Sequence, residues 1–182
     1  MPRTRMHPLS GYPGSAGFSL LELVVVIAII SGLLAIAFDR LWGLQVDAER
    51  VAMEQTVGSL RSALSIKVAD YFVQNDIAGV QHLAGTNPMA RLSEVPGNYL
   101  GELSGAEAVK IEGGKWYFDV PSKVLVYQVR NQNYFRGGFG KPAQIRFAIR
   151  VVYEARGRAG QNEVAGVTLK ALDTYQWLQA EN

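Results

Sequence analysis

The chain has no cysteine among its 182 residues, which excludes a disulfide framework, a thiolate metal site and a cysteine nucleophile. Histidine is almost missing as well. His7 and His82 are the only two, so the many serines have no evident base to activate them. His82 reads as an ordinary surface-loop histidine. Charge of one sign is also lacking: 18 Lys+Arg against 16 Asp+Glu leave +2, too little to announce a nucleic-acid protein or an acidic tail. The glycine pairs Gly113-Gly114 and Gly137-Gly138 lack the strand-to-helix setting of a phosphate loop, and Gly137–Gly140 reads as a flexible hairpin tip. Glu163, Asp173 and Glu181 are spread over nineteen residues without the alternating oxygen ligands of a calcium loop. No enzymatic activity, cofactor or metal is expected.

What is present is unevenly distributed. Residues 1–17 contain Arg3 and Arg5, three prolines, three glycines and no acid. Between Phe18 and Phe38, 17 of 21 residues are apolar. As a helix that run is about 32 Å long, close to the ~30 Å hydrocarbon core of a bilayer. A basic segment ahead of an apolar run predicts one membrane crossing, with the N-terminus inside and the C-terminal bulk outside.

Three readings fit this segment. One is an uncleaved signal anchor. A second is a secretory signal, with Ala35-Ile36-Ala37 as its small-residue cleavage site; against it, the basic region would be long and would end in an acid. The third uses Gly17-Phe18-Ser19-Leu20-Leu21-Glu22. There a small residue precedes the apolar run, so cleavage after Gly17 leaves the hydrophobic helix on the mature protein.

The stretch GFSLLELVVVIAIISGLLAIA resembles the prepilin motif of type IV pilins and type II secretion pseudopilins. The resemblance covers about 25 residues and combines a basic leader, Gly before Phe and one acid in an apolar helix. It implies that a prepilin peptidase cuts after Gly17 and methylates the amine of Phe18. It makes Glu22 the assembly acid, paired with the terminal amine of a neighbouring subunit. A carboxylate within a membrane span is unfavourable by about 2.5–3.5 kcal/mol at mid-bilayer, so it needs such a partner. The implied partners are the peptidase, other pilin or pseudopilin subunits, an inner-membrane assembly platform and, before assembly, the lipid bilayer. The implied location is the bacterial inner membrane, single-pass, with the head in the periplasm or in a filament.

Past Phe38 the helical pattern continues without proline until Pro88. Val46, Met53, Val57, Leu60, Leu64, Val68, Tyr71 and Phe72 recur mostly at three- and four-residue steps, with charge on the remaining faces. Where the family often has a proline, this chain has Asp39, which favours a less kinked stem and a minor rather than a major subunit. Asn75–Gly79 and Ala84-Gly85 read as fraying and loop. Thr86-Asn87-Pro88 predicts a capped turn through Leu92, and residues 95–114 an ordered surface loop. Strands are predicted at 115–120, 123–130, 144–154 and 163–172. In the third, Ile145, Phe147, Ile149, Val151 and Tyr153 face inward, with Gln144, Arg146, Arg150 and Glu154 outward.

The expected fold is α+β and pilin-like, a long N-terminal helix packed on a small antiparallel sheet of about four strands. Its segments are a removable leader at 1–17, a transmembrane half-helix at 18–38, an amphipathic half-helix at 39–75 and a globular head at 76–182. The expected function is a structural subunit of a type II secretion pseudopilus or type IV pilus. One alternative is a DNA- or ligand-binding subunit using the basic segment 121–160, where eight Lys/Arg face the single acid Glu154. Strand alternation already accounts for Arg146 and Arg150, so nucleic acid is not the expected partner. A simple membrane-anchored periplasmic domain is the other alternative.

Overall fold

A computed structural model describes residues 19–104, 111–156 and 161–178. The leader, Gly17 and Phe18 therefore lie outside the described residues, as does Glu181. The chain divides into two compact units, up to Arg40 and from Leu41 onward.

Helix α1 runs from Leu20 to Val73. In the first unit its large apolar side chains from Leu20 to Phe38 are all at least 38% exposed. In the second unit Val46, Met53, Val57, Leu60 and Leu64 are at most 5% exposed. Their spacing places them on one stripe of the helix. The helix ends in a left-handed Asn75 (φ 55°). There the Asp76 N–H reaches the Tyr71 carbonyl at 2.8 Å and the Asn75 N–H reaches that of Phe72 at 3.0 Å. This paired closure satisfies carbonyls that the last turn would leave open. The predicted fraying is instead a tight stop. Asp76 then caps a second helix, α2 (Ile77–His82), by accepting from the Gly79 N–H at 2.8 Å. His82 sits exposed in its last turn rather than on a loop. The predicted turn at Pro88 is a 3-10 helix over Pro88–Arg91, with Asn87 accepting from the Met89 N–H at 3.0 Å.

Among the described residues seven strands follow: β1 (Tyr99–Leu103), β2 (Lys115–Asp119), β3 (Val124–Gln128), β4 (Phe135–Gly137), β5 (Gln144–Arg156), β6 (Gln161–Ala171) and β7 (Tyr175–Trp177). Five of them form one sheet in the order β1-β2-β3-β5-β6, and β4 pairs with β7. The four expected strands are present, but the sheet is not purely antiparallel. β1 joins its edge in parallel with β2, which makes the sheet mixed. β1 lies in the stretch read as loop, because Gly101 at φ 96° and a register irregularity interrupt its pattern. β4 and β7 are three residues each, too short to carry a period.

The stripe of α1 packs on Trp116, Phe118, Leu125, Tyr127, Ile145, Phe147, Ile149 and Leu169. Trp116 anchors this layer, its ring 4.7 Å from that of Tyr127 and 5.8 Å from that of Phe147. Tyr153, expected inward, is 53% exposed. β3 pairs with β5 only as far as Phe147, and a bulge at Val152/Tyr153 shifts the alternation beyond it.

Two substitutions two residues apart test the assigned faces. Leu60, fully buried, is expected to cost about 2–5 kcal/mol on Leu60→Ala, by lost burial and a cavity. Ser62→Ala, at an exposed position, is expected to change stability by less than about 0.5 kcal/mol. Urea unfolding of the detergent-solubilised chain reads both; equal effects would mean that the stripe is misassigned.

Candidate functional site

The first site is the start of α1. The Ser19 side chain accepts from the Glu22 N–H at 3.1 Å, and the Ser19 carbonyl accepts from the Leu23 N–H at 3.1 Å. Ser19 is thus the cap residue, and Glu22 stands three positions into the helix, where negative charge meets the exposed N–H ends of the first turn. Sequence reading missed Ser19, although Ser-x-x-Glu ahead of an apolar run is a capping signature. Beyond it α1 is long and apolar enough to cross a membrane. The Glu22 side chain is exposed at this helix start.

The second arrangement is a polar latch between α1 and the loop after β3. Glu49 accepts from the Tyr127 hydroxyl at 2.9 Å and from the backbone N–H groups of Arg130 at 2.7 Å and Asn131 at 2.9 Å. The Asn131 side-chain amide donates a fourth bond at 2.6 Å. Burial, then the adjacent Glu49 charge, hold the Tyr127 phenol well above its usual range, so it stays a donor. Sequence reading left Glu49, with the other charged residues of α1, on the faces outside the apolar stripe. Its partners lie 78 to 82 positions away, and no local pattern announces them.

The basic segment does not form a uniform cationic face. The Arg146 guanidinium donates to both Asp173 oxygens, at 2.8 and 2.7 Å, and lies 3.6 Å over the Phe139 ring. The hydrogen bonds from Arg146 hold the Asp173 carboxyl below the usual carboxylate range. Arg130 donates to the Gly113 carbonyl at 3.3 Å. Arg136 and Arg150 are exposed, whereas Arg158 lies outside the described residues. The Gly137-Gly138 pair is a close approach rather than a flexible tip: a Cβ on Gly137 would sit 2.3 Å from the Thr174 carbonyl oxygen. Among the described residues no group of three or more His, Asp or Glu is placed to hold a metal ion.

Comparison of the chain with protein-family models, with curated proteins and with solved structures finds no match.

Two measurements follow from the geometry. Glu49→Gln presents an amide to donors that need an acceptor, and is expected to destabilise by about 2 kcal/mol; a melting curve matching the wild type would contradict the latch. Asp173 has a depressed carboxyl, so its contribution is complete above about pH 4, the unfolded value, and lost as pH falls through the lower folded one. Asp173→Asn is expected to flatten that acid limb in a pH series of unfolding curves and to leave the slope near neutrality unchanged.

Proposed function

We propose that the chain is a structural subunit, minor rather than major, of a type IV pilus or type II secretion pseudopilus. One observation carries the reading. Gly17-Phe18 stands immediately before a capped, uniformly apolar helix whose only acid in its first turns is Glu22. In the proposed mechanism a prepilin peptidase removes residues 1–17 and methylates the Phe18 amine. The helix waits in the inner membrane with the head in the periplasm. An assembly platform then draws subunits together, each Glu22 taking the Phe18 amine of a neighbour. Pairing relieves a charge that lipid tolerates poorly and sets the stagger between subunits. The function is assembly, and no chemical step is required of the head.

The DNA-binding alternative draws less support, because Arg146, at the centre of the basic segment, is already neutralised by Asp173. Glu22→Val separates assembly from processing. In cells carrying the chain's own assembly machinery, the variant is expected to be cleaved normally and retained in the inner membrane. It should be at least about tenfold depleted from the sheared filament fraction, as loss of one desolvated charge pair implies. Recovery of Glu22→Val in filaments at the wild-type level would sink the reading.

A further inference from the structure

Strand β5 outruns one of its two neighbours. β3 pairs with it only from Gln128↔Gln144 to Leu125↔Phe147, whereas β6 stays paired as far as Arg156↔Gln161. From Arg150 to Glu154 the β3 side of β5 therefore has no strand against it among the described residues. The backbone there is set to pair. On the β6 side the Leu172 N–H donates to the Arg146 carbonyl at 2.8 Å, so strand alternation turns the N–H and C=O of Val151 and Tyr153 toward the open side. β5 is continuous through this stretch, because the extra residue of the bulge, Ala165, lies on β6.

An open edge is commonly blunted by lysine, proline or a covering element. This one is apolar in the middle, where Val152 and Tyr153 are 38% and 53% exposed. The charges that flank them have opposite signs. Arg150 and Glu154 are exposed and stand four residues apart, and their side chains have no hydrogen-bond or ion-pair partner among the described residues. Within the hairpin they lie in register with Thr168 and Glu163, neither of which offers the opposite charge.

We propose that two copies of this chain join along this edge, their β5 strands pairing antiparallel about a two-fold axis at Val152. In that register Arg150 of each copy lies opposite Glu154 of the other, Val151 opposite Tyr153, and Val152 opposite itself. An interface of this symmetry brings one patch against the same patch, so the patch must complement itself, as this one does. Val151 and Tyr153 exchange backbone hydrogen bonds across the axis, and Val152 takes the non-hydrogen-bonded position, where side chains come closest. Charge also selects the register. An axis at Arg150 or at Glu154 would set like charges against each other, and one at Tyr153 would set Arg150 against Arg156. The edge from Arg150 to Glu154 is a small interface, so the pairing is weak and reversible. None of its residues belongs to α1, which makes it independent of the assembly role.

The chain has no cysteine, so a single introduced thiol reports only on its own copy. The purified full chain in detergent micelles, oxidised with copper phenanthroline and run on a non-reducing gel, tests the pairing. Val152→Cys places two thiols across the axis at a separation that suits a disulfide, and is expected to give a covalent dimer. Arg150→Cys places them about 14 Å apart and should cross-link at least about tenfold more slowly. Arg150→Glu added to Val152→Cys makes both charge pairs repulsive and should slow the cross-link at least about fivefold. Adding Glu154→Arg as well should restore it. No dimer from Val152→Cys overturns the proposal, as does equal cross-linking of Arg150→Cys or an unchanged rate with Arg150→Glu. In membranes of expressing cells, a Val152→Cys adduct of any mass but twice that of the chain would assign the edge to another protein and overturn it too.

Discussion

Glu49 places one carboxylate beneath the turn that follows β3 and collects four hydrogen bonds there. An apolar stripe tells a helix which face to turn toward a sheet, but leaves it free to slide along that face. Directional bonds remove the freedom. A charged acceptor is worth more per bond than a neutral one, and two of its donors are backbone N–H groups that would otherwise be open. A second tether sits further along α1, where the Arg61 guanidinium donates to the Leu169 carbonyl on β6 at 3.4 and 3.3 Å. Held at both places, α1 presents Met53, Val57, Leu60 and Leu64 to Trp116, Phe147 and Leu169 in one register. The outer face of the sheet inherits that order through β3, all five of whose residues are buried.

The composition of α1 changes along its length for a physical reason. Up to Phe38 apolar residues reach every face, which makes this stretch apolar enough to cross a membrane. From Val46 onward apolar residues keep to one stripe, as a helix half on a core and half in water requires. At its start the Ser19 side chain satisfies one N–H of the first turn, that of Glu22.

Much of this was legible from residues in order. The stripe of α1, the capped turn at Pro88 and the strands at Trp116, Leu125, Phe147 and Leu169 each carry a local period or cap. What escaped was non-local or short. β1 is interrupted by Gly101, and β4 and β7 have three residues apiece. The parallel pairing of β1 with β2 is a property of chain return, which no local period encodes. Glu49 looked like any other charged residue of α1 because its partners are some eighty positions away. Arg146 looked like part of a cationic face until Asp173 was seen across from it. At the start of the chain the reading of Gly17-Phe18 and Glu22 rests on the sequence alone, and the cap at Ser19 lay hidden beside it.

The pilin-like account stands or falls on the first residue of the mature protein. Intact mass of the chain purified from inner membranes measures it directly. The account predicts a mass beginning at Phe18 with one added methyl group, and the full-length mass when the prepilin peptidase is deleted. A mature chain that keeps residues 1–17 in the presence of the peptidase, or one that begins after Ala37, would contradict it.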